Sequence, residues 1–462
     1  MNEIHDWYQK GLTMKLVPIA LLLFLAGFLA LGWIGVEDRS AKEKVTPEIV
    51  AKPEIRLLDK EGAGKLYQVG SWTVCVMEGT PAEMGFQHGK LLAGHIQGMV
   101  QKRYMVRALL GRGYTMKYIN EQAARMERHF PAEYIAEMHG IVKGLRAAGV
   151  EDIGYEHLRA CVVVAEIQHR APGSPPGCTN FAVFGKWTKD GRLLHGRNLD
   201  WNIQGQAQDD AVILVWRPKN GKPFMMVGWA GCIGSVSGMN ASGITIGEMT
   251  SSSPDETFDG LPLFLTMRLV LEKASTLEEA VKIIREEPRT LGWNYVVGDG
   301  TIPDARALEV DAETCEVFAP MDTKEENETG HTPLQDAVRR TNHPCGGAML
   351  KKIAGMYAKK MGIDLESWEK ARPLVKAFIT QGNSWQRYAW LGEQIQTMPE
   401  GIDVKEAVEL LANGPVKCGA TLHSWVFDPK NHAAYVANAG TNPVRTASER
   451  PYVRIDLEKW FE

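Results

Sequence analysis

The chain has 462 residues, of which 44% are hydrophobic and 23% charged, the balance of an ordinary globular protein with room for one large domain or two smaller ones. Its net charge of -4 comes with basic residues spread along the chain rather than gathered in a stripe, which excludes an electrostatic footprint for nucleic acid. Seven cysteines form no C-x-x-C pair and no close ligand spacing, so no metal-binding residues are expected, and irregular glycines with no G-x-x-x-x-G-K-[ST] leave no cofactor-binding residues either.

In chain order, the first feature is an uncharged run from Leu16 to Val36, long enough for one membrane-spanning helix. Lys10 and Lys15 precede it and Glu37 and Asp38 follow, a bias that favours a cytoplasmic N-terminus and an extracytoplasmic body. Residues 1–36 therefore read as a retained membrane anchor or a cleaved export signal, with Met14 as an alternative start. Residues 37–64 are charged and proline-containing and read as a linker.

A strand is expected at 72–77, helices over 81–110 and 118–148, and a helix-like or mixed segment over 155–170, before A-P-G-S-P-P-G at 171–177 interrupts regular structure. Short strands follow at 181–184, 193–200, 211–217, 223–229 and 243–249, separated by turn residues in the manner of a meander. A helix is expected over 262–286, strands at 293–297, 305–318, 422–428 and 433–438, and helices at 347–360, 366–378 and 404–412. Blocks of several strands and several helices favour an α+β layered body over a doubly wound parallel sheet.

The chemistry centres on P-G-C-T-N at 176–180, where one cysteine follows a glycine as a loop becomes a strand. If the Gly177–Cys178 bond opened by attack of the thiol on the preceding carbonyl, Cys178 would become an N-terminal residue carrying nucleophile and base together. An α-amino group titrates near 8 and a thiol near 8.5, so proton exchange between them at neutral pH costs little. Gly177, without a Cβ, permits close attack and an unusual backbone angle. After the strand that follows, K-D-G at 189–191 suggests a hairpin whose return strand ends H-G-R-N-L-D-W, which would set Arg197, Asn198 and Asp200 beside Cys178.

G-C-T-N, T-K-D-G and G-R-N-L-D together resemble the N-terminal nucleophile hydrolase superfamily, in particular the branch of acyl-coenzyme A:6-aminopenicillanic acid acyltransferase, bile salt hydrolase and penicillin V acylase. P-A-E-M-G-F-Q-H-G-K-L-L at 81–92, T-N-H at 341–343, N-S-W-Q-R at 383–387 and T-L-H-S-W-V-F-D-P-K at 421–430 extend that resemblance, in order, over about residues 65–445. It implies a four-layer αββα sandwich of antiparallel sheets between helices, in which residues 65–177 and the catalytic segment 178–462 make one structural unit. It also implies Cys178 as nucleophile, Arg197 and Asp200 as the pair that positions it, Asn342 as an oxyanion donor and Arg387 as an arginine of the active-site rim. The pattern departs at G-I-T-I-G-E-M-T, where Glu248 and Thr250 stand in place of an oxyanion asparagine, closer to phospholipase B-like proteins; a carboxylate donates no hydrogen bond unless protonated. Asn198, Trp201, Glu248 and Thr250 are thus assigned to the substrate or oxyanion region.

The function these readings imply is a self-cleaving amidase or acyltransferase acting through a thioester on a small N-acyl amide, peptide or lipid-like substrate, tethered to the membrane through residues 16–36 if that run is retained. A phospholipase B-like lipid acyl hydrolase, a papain-like thiol enzyme pairing Cys178 with His195, His343 or His423, and a non-catalytic membrane-tethered binding protein remain as alternatives.

Overall fold

The computed structural model describes residues 44–102, 110–169, 177–201, 203–325, 331–360, 367–398 and 400–462. The apolar run 16–36 and most of the proline-rich stretch 171–177 lie outside the described residues, and among those that are described no helix is long and apolar enough to cross a membrane.

The strands are β1 (Ile49–Val50), β2 (Ile55–Glu61), β3 (Gly64–Val69), β4 (Trp72–Gly79), β5 (Thr179–Gly185), β6 (Gly191–Asp200), β7 (Ala211–Pro218), β8 (Phe224–Trp229), β9 (Ser237–Asn240) and β10 (Ile244–Thr250). They continue with β11 (Trp293–Asp299), β12 (Asp304–Val310), β13 (Cys315–Phe318), β14 (Ala337–Arg340), β15 (Thr421–Asp428), β16 (Ala433–Asn438), the short pair β17 (Gly440–Thr441) and β18 (Val444–Arg445), and β19 (Tyr452–Asp456). One sheet has seven strands in the order β1-β19-β16-β15-β6-β5-β14 and the other ten, in the order β13-β12-β11-β10-β9-β8-β7-β4-β3-β2. Pairing is antiparallel except for β4 with β7 and β1 with β19, which corrects the expectation of purely antiparallel sheets.

The two sheets lie face to face, β5 and β14 against β10, β11 and β12. Helices α1 (Pro81–Leu91), α2 (Ala93–Gln97), α3 (Met116–Glu127), α4 (Ala132–Ala147), α5 (Tyr155–Val162), α6 (Val164–His169), α7 (Leu263–Lys273) and α8 (Leu277–Glu286) precede α9 (Gly347–Lys360), α10 (Trp368–Gln381), α11 (Asn383–Gln396), α12 (Val404–Ala412) and the terminal turn α13 (Glu458–Phe461). The outer face of the ten-stranded sheet is covered by α1, α7 and α8, with α4 packed on α1, and that of the seven-stranded sheet by α11 and α12. The result is an αββα sandwich whose interior is apolar on both faces of each sheet, because strands such as A-V-I-L-V-W and F-M-M-V-G-W are buried along their whole length.

Local chemistry explains where the expected helices divide. The capping box of Thr80 with Glu83, with Pro81 in the first turn, starts α1. The helix expected over 262–286 is two helices, because Thr276 adopts extended geometry and its hydroxyl accepts the Glu279 N–H at 3.2 Å, capping a second start. The helix expected over 81–110 likewise breaks at Leu92. The strand expected over 305–318 is divided by a turn in which the Asp311 carboxylate accepts the Glu313 N–H at 2.9 Å.

The stretch that reads as a linker in the sequence is structured from residue 45 onward. β1 and β2 join the two sheets, and Asn413 brackets Val45, accepting its N–H and donating to its carbonyl at 2.7 Å each. Residues 45–462 make one compact unit. β1, β2, β3, β9, β14, β17, β18 and β19 have no counterpart among the expected strands.

Candidate active site

The site forms where a short strand leaves a gap. β11 pairs with β10 over all of Ile244–Thr250, whereas β9 pairs only as far as Gly247, so Glu248, Met249 and Thr250 have no strand beside them on that edge. Cys178 from the facing sheet sits at this notch. Gly247 allows the approach, because a Cβ there would lie 2.4 Å from Asn180 Nδ2 and 3.1 Å from Arg197 Cδ.

The β5–β6 hairpin pairs Thr179 with Asn198 and Asn180 with Arg197, which carries the return strand back beside the cysteine. Side chains alternate across a strand, so the H-G-R-N-L-D segment divides its chemistry between the two faces. Arg197, fully buried, reaches the notch: Nη1 donates to Val236 O at 2.7 Å and Ser237 Oγ at 2.6 Å, and Nη2 to Glu248 Oε1 at 2.6 Å and to the Cys178 sulfur at 3.5 Å. Asn198 points the other way, bound to Leu411 O, Val416 O and the Ser424 hydroxyl, where it ties β6 to the end of α12. The assignment of Asn198 to the substrate region is therefore corrected.

Every main-chain polar group of Cys178 has a partner. Its N–H donates to Asn342 Oδ1 at 2.7 Å, and its carbonyl accepts from Arg387 Nη1. Asn342 is itself held on all sides: its N–H donates to Ser384 Oγ at 2.8 Å, Nδ2 donates to Thr250 O at 2.9 Å, and Oδ1 also accepts Arg387 Nη2 at 2.9 Å. Arg387 is buried rather than at a rim, fixed by Asn383 Oδ1 one helical turn earlier at 2.8 Å and by Thr179 Oγ1 at 2.8 Å. Gly177 has φ +109°, and a Cβ there would fall 2.0 Å from Asn342 Oδ1. The residue before the cysteine must be glycine on both counts.

Burial dominates the electrostatics. It pushes the Cys178 thiol up to about 12, against the pull of Arg197. It also pushes Asp200 up to about 6, although Arg387, the Thr421 hydroxyl at 2.6 Å, Arg197 and the Cys418 thiol favour its charged form. Glu248 is raised by burial and drawn back by Arg197, and its Oε2 is buried without a hydrogen-bond partner. Two guanidinium groups and two carboxyls thus surround a protonated thiol.

Thr250 contributes its carbonyl, not its hydroxyl, to this arrangement. Trp201 is half-buried, edge-on to Trp229 with ring centroids 5.2 Å apart, and its main-chain N–H donates to Ala420 O. The three histidines that the sequence offers as thiol partners are placed elsewhere. His195 lies between Asn180 Oδ1 and Thr245 Oγ1, His343 faces Ser384 and His331, and both ring nitrogens of His423, which packs against Trp72 and Trp229, make no hydrogen bond. Burial holds all three down to about 3, so each is neutral. Residues not singled out from sequence complete the site: Thr179, Asn383, Ser384, Cys418 and Thr421. The i, i+4 spacing of Asn383 and Arg387 in N-S-W-Q-R is a readable signal, whereas Cys418 is brought to Asp200 only by the tertiary fold.

A protein of Archaeoglobus fulgidus with no described function is 29% identical over 272 residues, 53% of this chain and 44% of its own length. The 40 kDa form of acyl-coenzyme A:6-aminopenicillanic-acid-acyltransferase from Emericella nidulans is 27% identical over 227 residues, 48% of this chain and 59% of its own length. The chain thus spans about half the length of these two relatives. Among solved structures, the Caenorhabditis elegans ortholog of N-acylethanolamine-hydrolyzing acid amidase is 17% identical with a TM-score of 0.38, covering 55% of this chain and 93% of that one. Arg197, Asp200, Asn342 and Arg387 all lie within residues 187–443, more than half of the chain, which match the family of acyl-coenzyme A:6-aminopenicillanic acid acyl-transferases, and the chain belongs to that family.

Proposed function

We propose that this chain is a self-cleaving cysteine amidase or acyltransferase of the N-terminal nucleophile type, which opens its own Gly177–Cys178 bond and then acts on the amide bond of a small N-acyl substrate. The observation that carries the reading is the hold on Cys178. Its N–H is bound by Asn342 at 2.7 Å, its carbonyl by Arg387, and its sulfur is approached by Arg197 at 3.5 Å, directly after a glycine in left-handed geometry.

In the first stage the sulfur attacks the Gly177 carbonyl carbon, the C–N bond breaks as the nitrogen takes up a proton, and a thioester joins Gly177 to Cys178. Water cleaves that thioester, leaving a Gly177 carboxylate and a free α-amine. The Cys178 thiol is protonated in the uncleaved chain, so this step needs a base, and the candidate is Asp200, whose carboxylate is held by the Thr421 hydroxyl at 2.6 Å and acts on the Cys178 thiol through its charge. Once free, the α-amine, with an ordinary value near 8, takes over as base for the same sulfur. Asn342 Oδ1, which binds the amide N–H before cleavage, would hold that amine, and the second proton of its Nδ2 would serve an oxyanion; its contacts to Cys178 N and Thr250 O support this role.

In the second stage the sulfur attacks the substrate carbonyl, the amine leaves, and water or another amine resolves the new thioester. Family membership supports an acyl substrate, and the apolar run 16–36 favours action outside the cytoplasm, at or near a membrane.

Intact-mass measurement tests the reading. Purified protein should contain a fragment beginning Cys-Thr-Asn, and Cys178→Ala should stay whole. An active enzyme with an unbroken 177–178 bond would exclude the mechanism.

A further inference from the structure

Behind Asn342, on the side away from Cys178, three soft or borderline donor side chains converge. His331, His343 and Cys345 each place one ligating atom within 4.8 Å of the other two, and all three residues are buried. The two imidazoles face each other Nε2 to Nε2 at 3.0 Å.

The hydrogen bonds around His343 set its tautomer. Thr341 Oγ1 donates to Ser384 O at 2.9 Å, so its one proton is used, and Ser384 Oγ donates to Thr341 Oγ1 at 2.9 Å. Ser384 Oγ then has only lone pairs left, one taken by the Asn342 N–H at 2.8 Å; the other must accept from His343 Nδ1 at 2.6 Å. With the proton on Nδ1, the Nε2 lone pair of His343 is presented to the cluster, where it accepts the His331 Nε2–H at 3.0 Å. This is the arrangement in which a metal-binding imidazole is oriented by a partner on its other nitrogen.

We propose that His331, His343 and Cys345 form a binding site for a soft monovalent ion of the cuprous type, in three-coordinate N2S geometry. The donor set admits zinc or copper, and the surroundings choose between them. Arg340 and Arg339 stand close by, Arg340 paired to Glu309 at 2.8 Å and Glu325 at 2.7 Å, and Arg339 above the Tyr388 ring at 3.9 Å. Trp385 and Tyr388 close over His331 with ring centroids at 4.6 and 4.9 Å. In this dry position Glu309, which also accepts the Cys345 N–H at 2.7 Å, and Glu325 stand against the two arginines, and any added net charge is costly. Binding a monovalent ion expels the Cys345 thiol proton, Cu⁺ plus thiol giving Cu–thiolate plus H⁺, and leaves the buried charge unchanged. A divalent ion would add one net positive charge to this buried group of two arginines and two glutamates. On binding, His331 moves its proton from Nε2 to Nδ1 and stays neutral, and the two Nε2 atoms part by a few tenths of an ångström to admit bonds of about 2 Å. The site is independent of the amidase reading, since it uses no atom of Cys178.

The test is an anaerobic titration of the reduced full chain with Cu(I) against a chromophoric cuprous chelator, with X-ray absorption at the copper edge after the first equivalent. The expected result is one tight equivalent with two imidazole nitrogens and one sulfur in the first shell, one proton released, and Zn²⁺ roughly a hundred-fold weaker. Cys345→Ser and His331→Phe should each lose that equivalent. A sulfur-only shell, zinc binding as tight as copper, or undiminished affinity in folded variants would overturn the proposal. The spectrum of the unsubstituted chain decides the point even if a variant does not fold.

Discussion

Gly177 is the residue at which backbone geometry and chemistry are tied most closely. Its φ of +109° and the 2.0 Å that would separate an added methyl from Asn342 Oδ1 mean that any side chain must both strain the backbone and displace the group that holds the Cys178 N–H. Such strain costs on the order of 1–3 kcal/mol, so Gly177→Ala should slow self-cleavage about tenfold or more while leaving the rest of the fold intact. A time course of intact mass, started from freshly synthesised chain, reads this directly, and unchanged cleavage would show that Asn342 does not hold the scissile amide. Cys178, Arg197 and Asp200 are legible in the sequence because they share one hairpin, where sequence spacing becomes spatial spacing. Asn198 misleads for the same reason: spacing brings it near, but the period-2 alternation of β6 sends its side chain to Leu411, Val416 and Ser424. Arg387 reads as a rim residue in the sequence, yet a buried guanidinium bound to Cys178 O, Thr179 and Asn342 depends on a helix arriving from over 200 residues away, which no local pattern reveals.

At the scale of elements, the segment P-A-E-M-G-F-Q-H-G-K-L-L carries a packing device. Gly85 and Gly89 of α1 face Gly140 and Gly144 of α4, and a Cβ on any of the four would lie 2.1 to 2.5 Å from a backbone carbonyl of the other helix. Each helix thus presents two glycines four positions apart, and the backbones meet with no side chain between them. Gly140→Ala, whose methyl would fall 2.5 Å from Ala82 O, should destabilise the chain by about 1–3 kcal/mol or more, because neither partner atom is the end of a flexible side chain. Urea denaturation of the variant in the uncleaved Cys178→Ala background measures it, and a midpoint unchanged from the parent would mean that the helices can separate without cost. The helical periodicity of both segments is readable in the sequence, as is the capped start at Thr80. Their mutual contact is not, since a G-x-x-x-G spacing reports closeness only once its partner helix is known. Breaks such as Thr276, by contrast, are present in the sequence as a capping residue followed three positions later by Glu279, and are hidden by the continuous apolar periodicity on either side.

At the scale of the molecule, the number of ionisable groups buried between and behind the sheets sets how stability depends on pH. Burial raises Glu166 to about 8, Glu309 to about 7 and Asp200 to about 6, and raises Glu248 as well. For such carboxyls the folded state keeps a proton that the unfolded chain gives up near 4, so their stabilising contribution is complete below that value and is lost as pH rises through the folded values. Burial lowers His88, His195, His343 and His423 to about 3. For these the unfolded chain takes up protons below about 6.5 while the folded one does not, so their contribution is complete above that value and is lost as pH falls toward 3. Between roughly pH 4.5 and 6 the two sets oppose each other and nearly cancel. Above about 6.5 the histidines no longer titrate in either state, and Glu166 and Glu309 drive stability down. Below about 4 these buried carboxyls are protonated in both states, and the histidines drive stability down, together with carboxyls such as Asp190, whose value, against burial, Lys430 and Arg192 hold down to about 2. Stability should therefore be nearly level between about pH 4.5 and 6 and decline on both sides, steeply below about pH 4 and more gently between about pH 6.5 and 8. Urea midpoints of uncleaved Cys178→Ala protein across that range supply the curve. Glu166→Gln should flatten its alkaline limb, because the amide can still accept the Leu263 N–H that Oε1 now accepts at 2.6 Å while having no proton to lose. A midpoint that climbs steadily from pH 6 to pH 8 would mean that these carboxyls are ionised in the folded chain, paired with cations that the buried arginines supply.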